Sequence, residues 1–115
     1  MEITIYHNPR CSKSRQTLAL IEEAGYEPTI VKYLEDPLSA SDIQTLMTRL
    51  GVGDPQDIMR KGEAVYKEMG LKNETDPATL LQAIVDNPKL LERPIVVRGK
   101  KAIMGRPPEN VKDLL

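Results

Sequence analysis

Thr4-Ile5-Tyr6-His7-Asn8-Pro9-Arg10-Cys11-Ser12-Lys13-Ser14-Arg15 passes from a β-type run into a helix, and the chain's only cysteine stands at the handover. Ile3 to Tyr6 reads as a short strand, Pro9 stops it, and a helix begins at about Ser12. The first turn of a helix has unpaired backbone N–H groups and the positive end of the macrodipole. A thiol at that point is pushed toward thiolate. Arg10, Lys13 and Arg15 add positive charge, and the segment holds no acid. A free cysteine titrates at about 8.5, which leaves about 3% thiolate at neutral pH, and settings of this kind lower the value by about one to several units. Polar, cationic neighbours suit a partly exposed nucleophile and make a poor slot for a buried apolar thiol. With no second cysteine, Cys11 has no intrachain partner, so any resolving thiol must come from another molecule.

Working outward, the first helix places Leu18, Ile21 and Gly25 at helical spacing, with Gly25 just past its end. Pro28 precedes a second strand, Thr29 to Leu34. A strand, a helix and a strand within about 34 residues is the size of a right-handed crossover with parallel strands. The middle of the chain is predicted helical. Ser39 or Ser41 caps a helix bearing Ile43, Leu46, Met47 and Leu50, closed by Gly51. Asp54-Pro55 and Asp76-Pro77 each combine a capping Asp with Pro at the first helical position. Between them lies a short helix, Glu63 to Met69. Pro94-Ile95-Val96-Val97 and Lys101-Ala102-Ile103-Met104 form a hairpin around Arg98-Gly99-Lys100, read as a solvated tip. Pro107-Pro108 opens a last helix to Leu115. The order βαβ–ααα–ββα predicts an α/β, thioredoxin-like (glutaredoxin-like) fold with a helical insertion, as one domain over residues 1–115.

Bulk composition bounds the function. Lys and Arg number 16 against 17 Asp and Glu, so no global charge recruits nucleic acid or an acidic membrane. Four Tyr with no Phe or Trp make a poor base-stacking platform. No apolar run reaches the length of a membrane span, and Met1-Glu2-Ile3 does not open a signal sequence. One cysteine makes no disulfide framework, so the expected location is cytoplasmic. One Cys and one His cannot supply a zinc ligand set, so no metal site is expected.

Outside the cysteine segment, Arg60, Arg93 and Arg106 stand at junctions between elements. Arg60 ends the short helix begun at Asp54, Arg93 precedes Pro94, and Arg106 precedes Pro107-Pro108. The planar fork of Arg matches a tetrahedral oxyanion bidentately. In a thioredoxin-like fold the proline opening the third strand is typically cis and faces the active cysteine. Pro94 is the candidate, which would bring Arg93 to Cys11.

Tyr6-His7-Asn8-Pro9-Arg10-Cys11-x-x-Ser14-Arg15, Glu27-Pro28-Thr29-Ile30 with Tyr33-Leu34-Glu35-Asp36-Pro37, and Glu92-Arg93-Pro94-Ile95-Val96-Val97 together resemble the glutaredoxin-coupled arsenate reductase family (ArsC). The likeness runs from about Ile3 to Leu114, and some relatives have a longer tail. By motif, Cys11 matches the family's nucleophile and Arg60, Arg93 and Arg106 its oxyanion-binding arginines. His7, Ser14 and Arg15 match residues around the nucleophile. The resemblance implies an oxidoreductase of arsenic detoxification, with arsenate as substrate, glutathione as co-substrate, glutaredoxin as partner and no bound cofactor. The Cys11 thiolate attacks As(V), water leaves, and the arginine forks offset charge on the adduct. Ser14 can hydrogen-bond the Cys11 sulfur but cannot resolve it. His7 either helps hold the thiolate, charged or as a donor, or caps a backbone group in the loop. Two other readings share the pattern: a thiol oxidoreductase acting on another oxyanion or a glutathionylated substrate, and a Spx-like regulator that binds RNA polymerase. The arginines together with Ser14 favour the enzyme.

Overall fold

A computed structural model of the chain describes residues 2–115; Met1 lies outside the described residues. Four strands form one sheet in the order β2-β1-β3-β4, with β1 at Ile3–Tyr6, β2 at Thr29–Val31, β3 at Ile95–Arg98 and β4 at Lys101–Met104. β1 pairs parallel with β2, Thr4 opposite Thr29, and antiparallel with β3, Ile5 opposite Val96. β3 and β4 pair antiparallel as the expected hairpin, with Gly99 at φ 63° in its turn. The sheet has the mixed, thioredoxin-like arrangement that the βα β and ββ pattern predicts.

Helix α1, Ser12–Glu23, joins β1 to β2, and Gly25 follows it at φ 91°. A left-handed residue there is cheapest as glycine. Ile3, Ile5, Ile21, Val96, Val111 and Leu114 form the buried core of this part. Two details differ from the sequence reading. β2 ends at Val31 because Glu35 and Asp36 turn their amides back onto the Lys32 carbonyl, which leaves Leu34 in a turn. The segment after Pro107-Pro108 is 3-10 rather than α, over Pro108–Leu114. Pro108, Val111 and Leu114 are its buried residues, and at three residues per turn a spacing of three stacks them directly on one side.

Chain contacts divide the molecule into two compact units, Met1–Asp36 with Arg93–Leu115, and Pro37–Glu92. The second corresponds to the helical insertion. Its α2, Ala40–Leu50, begins with a capping box in which Ser39 and Asp42 satisfy each other's backbone amides, and it ends at Gly51 with φ 77°. α3 spans Ala64–Glu68 and α4 Pro77–Asp86, the latter capped by Asp76. Asp54-Pro55 opens a single 3-10 turn, Pro55–Ile58, rather than a helix that reaches Arg60. The chain is extended at Met59, which bridges Leu91, and the Arg60 amide bonds the Leu90 carbonyl at 2.7 Å. That pairing removes residues 59 and 60 from any helix. Ile43, Leu46, Met47, Ile58, Leu80, Ile84, Leu90 and Leu91 are buried within this unit.

Arg98, read as part of a solvated hairpin tip, instead folds back. Its guanidinium lies 5.1 Å from the Tyr26 ring centroid and donates to the Leu114 carbonyl at 3.0 Å. Among the described residues no helix is long and apolar enough to cross a membrane.

Candidate active site

Pro9 closes β1, so the loop from His7 to Arg10 crosses the end of the sheet and sets Cys11 at the N-cap of α1. Cys11 has extended backbone, its amide bonds the Asn8 carbonyl at 3.0 Å, and its own carbonyl accepts from the Arg15 amide at 3.0 Å. Cys11 is half-buried, so its sulfur keeps some exposure to solvent. Burial alone pushes the thiol pKa up. The backbone N–H of Ser14, the Arg93 guanidinium by hydrogen bond and by charge, and the Lys13 N–H outweigh burial and hold it below the ordinary cysteine value.

Helix start and charge therefore both act, as the sequence implies, but the cation that acts on the sulfur is Arg93 and not the neighbours in sequence. Arg15 donates to the Pro9 carbonyl at 2.9 Å and braces the loop, while Arg10 is exposed and its amide bonds Asn8 Oδ1 at 3.0 Å.

Pro94 opens β3 with a cis bond from Arg93, in agreement with the reading of that proline. A second cis bond, Arg106–Pro107, was not legible in the sequence. Arg106 places Nη1 4.0 Å from the Cys11 sulfur. Two guanidinium groups thus face one thiol, both from residues that precede prolines at the ends of the hairpin strands. Gly105 lies between these pieces. Its amide bonds the Pro94 carbonyl at 2.8 Å, and its carbonyl accepts from the buried Thr17 hydroxyl at 3.4 Å. A Cβ on Gly105 would sit 2.6 Å from Thr17 Oγ1 and 2.7 Å from Pro94 Cγ. Thr17 and Gly105 escape sequence reasoning; the one trace is a glycine immediately before Arg106.

Ser14 is fully buried, and its hydroxyl does not serve the sulfur. It pairs with His7 Nδ1 at 2.6 Å and accepts from the Asn8 amide at 3.1 Å, which leaves its backbone N–H to act on Cys11. His7 thus reaches the site through Ser14. Burial, then Lys32, then Arg15 lower its pKa, which favours the uncharged ring near neutral pH among the roles the sequence leaves open. Arg60 belongs to the second unit, where Glu63 Oε1 lies 3.3 Å and Glu92 Oε1 3.5 Å from its guanidinium. Among the described residues no cluster of His, Cys, Asp and Glu could hold a metal ion.

The assembled parts are a thiol of lowered pKa at a helix N-terminus with two guanidinium groups facing it, an arrangement whose chemistry suits nucleophilic attack on an anion. Comparison with known proteins points the same way. The protein named Uncharacterized protein YfgD of Escherichia coli (strain K12) is 50% identical, over 99% of this chain and 97% of that one. An arsenate reductase of Neisseria meningitidis serogroup A is 48% identical, over 99% of this chain and 98% of its own length. The solved structure of an arsenate reductase from Vibrio cholerae matches with a TM-score of 0.97 at 45% identity, covering 100% of this chain and 98% of that one. The ArsC family pattern matches residues 6–114, and the chain belongs to the ArsC family.

Proposed function

We propose that this protein is an arsenate reductase that uses glutathione and glutaredoxin. The observation that carries the reading is the convergence of Arg93 and Arg106 on the Cys11 sulfur. A regulator that works by docking has no use for two guanidinium groups on a thiolate, whereas attack on an oxyanion brings two like charges together and needs them. The relatives named as arsenate reductases support arsenate as that oxyanion.

Cys11 Sγ attacks arsenic, an As–S bond forms, and one oxygen leaves as water. A glutathione thiolate then attacks the Cys11 sulfur. The As–S electron pair passes to arsenic, which falls from As(V) to As(III) and leaves as arsenite. The two sulfurs, each oxidised by one electron, are joined as a mixed disulfide. A glutaredoxin thiol takes the glutathione and releases the Cys11 thiolate, since the chain has no other cysteine to do so. A cavity of about 390 Å³ beside the Cys11 loop supports a peptide thiol as co-substrate. Arg10 and Lys32 line it with Glu35, a pairing suited to a molecule with carboxylates and an ammonium group. Arg60 joins the oxyanion set through the family pattern alone.

The deciding measurement is arsenate-dependent NADPH oxidation with glutathione, glutathione reductase and glutaredoxin supplied. Turnover that needs both thiol components and vanishes in Cys11→Ser is the expected result. Equal turnover with thioredoxin alone would remove the glutathione route, and no turnover with any thiol system would remove arsenate.

A further inference from the structure

The insertion unit contains a cavity of about 640 Å³ that the chemistry at Cys11 does not use. Three short elements wall it: the turn Pro55–Ile58, helix α3 and the turn Leu71–Asn73. Its volume lies in the range of small-molecule sites, about 300–1,000 Å³. Side-chain hydrogen bonds make it preformed. The buried Tyr66 donates its hydroxyl to Gln56 Oε1 at 2.7 Å, and the Gln56 amide donates to the Leu71 carbonyl at 2.7 Å, so one glutamine ties all three walls. Gly70, at φ 63°, turns the chain between the helix and the last wall and faces the opening.

The charged residues that line it are all lysines. Residues 37–92 carry nine Asp and Glu against six Lys and Arg. None of those acids lines the cavity, while Lys61, Lys67 and Lys72 all do. Among the described residues none of these three lysines forms an ion pair. Three ammonium groups around one opening repel one another, and an acidic unit has carboxylates available to neutralise them elsewhere in the same fold. Lys72 also borders an adjoining cavity that Asp54 and Glu74 line, whereas Lys61 and Lys67 face only the opening without acids, and an opening lined by lysines alone among its charged residues is what a site for an external anion requires.

We propose that this cavity binds a small organic or inorganic anion with several adjacent negative charges, such as a phosphoanhydride or a tricarboxylate. Lysine ammonium groups are compact point charges on flexible stems, so they suit a charge-dense ligand of varied shape. The planar arginine forks at Cys11 suit a single tetrahedral centre instead. The two sites therefore select different anions.

Isothermal titration calorimetry on the full chain at low ionic strength tests this, with pyrophosphate and citrate as separate probes. Saturable binding of at least one probe is expected, and the better binder identifies phosphoanhydride or polycarboxylate as the ligand class. The triple variant Lys61→Gln, Lys67→Gln, Lys72→Gln is expected to weaken that binding by about tenfold or more. A control triple, Lys89→Gln, Lys100→Gln, Lys101→Gln, removes the same charge elsewhere and should retain affinity. Arg106→Lys should retain it too, which separates this cavity from Cys11. Absence of saturable binding by both probes, an equal loss in the control triple, or loss with Arg106→Lys would each overturn the proposal.

Discussion

Arg106 Nη1 donates to the carbonyl oxygen of Arg93 at 3.1 Å, so the two residues that present guanidinium groups to Cys11 are bonded to each other. The arrangement divides their labour. Arg93 acts on the sulfur itself by hydrogen bond and charge, whereas Arg106 reaches the sulfur only at 4.0 Å while strapped to Arg93. Arg93→Gln is therefore expected to raise the pH midpoint of Cys11 alkylation. Arg106→Gln should leave that midpoint almost unchanged and raise the KM for arsenate. Equal shifts of the midpoint in the two variants would refute the division.

Ser14→Ala separates the serine's backbone role from that of its hydroxyl. The substitution leaves the Asn8 amide and His7 Nδ1 without their buried partner. A loss of about 1–3 kcal/mol in unfolding free energy is expected, the usual cost of an unsatisfied buried group. The Ser14 N–H stays in place, so the alkylation midpoint of Cys11 should move little. A large rise in that midpoint would show that the hydroxyl acts on the sulfur directly.

His7 gives stability a pH dependence whose sign follows from its lowered pKa. Above the ordinary histidine value, about 6.5, the ring is neutral in both folded and unfolded chains. As pH falls below it, the unfolded chain takes up a proton first, so stability is lost down to the folded pKa. Urea denaturation at pH 7.5 and 5 should show this loss, and His7→Gln should reduce the difference between the two pH values although it destabilises at both. A variant with an undiminished difference would assign the acid sensitivity to other groups.

Gly105→Ala should destabilise by about 1–3 kcal/mol through overpacking and raise the KM for arsenate, because the displaced backbone leads straight into Arg106. Thr17 supplies two of the three close atoms, Oγ1 at 2.6 Å and Cγ2 at 3.0 Å. Gly105→Ala combined with Thr17→Ala should therefore cost less than the two single changes added together. Strict additivity by thermal or urea denaturation would show that the clash is relieved elsewhere.

Arg60 already has two carboxylate neighbours, Glu63 and Glu92. Charge shared with them is charge withheld from an oxyanion. Arg60→Lys should consequently raise the KM for arsenate less than Arg93→Lys, where the lost fork serves the thiol directly. The reverse order in steady-state kinetics would make Arg60 the principal anchor.

The sheet and the cysteine's helix-cap position were legible because short-range chemistry writes them: alternating β-branched residues, Pro9 as a stop, Gly25 and Gly99 at turns. The part played by Arg93 was legible through Pro94. What escaped were properties set by long-range packing. The hydroxyl of Ser14 had two candidate acceptors or donors within a few residues, and only burial beside His7 decides between them and the sulfur. Arg10, Lys13 and Arg15 were near Cys11 in sequence, yet side-chain direction, which sequence distance does not encode, gave Arg15 to the Pro9 carbonyl. The 3-10 geometry of Pro108–Leu114 was not separable from an α-helix by spacing, since Pro108, Val111 and Leu114 would share a face in either and Pro107-Pro108 opens both.

The sheet order places β1 and β3 in the interior, with β2 and β4 at the edges. Cys11 follows β1, and Arg93-Pro94 leads into β3. Fraying begins at strands bonded on one side only, so solvent exchange of backbone amides should run fastest in Thr29–Val31 and Lys101–Met104. The loop that holds the thiol and the proline junction that faces it are anchored in the two strands that open last. Breathing motions at the rim of the sheet thus leave the Cys11 sulfur seated.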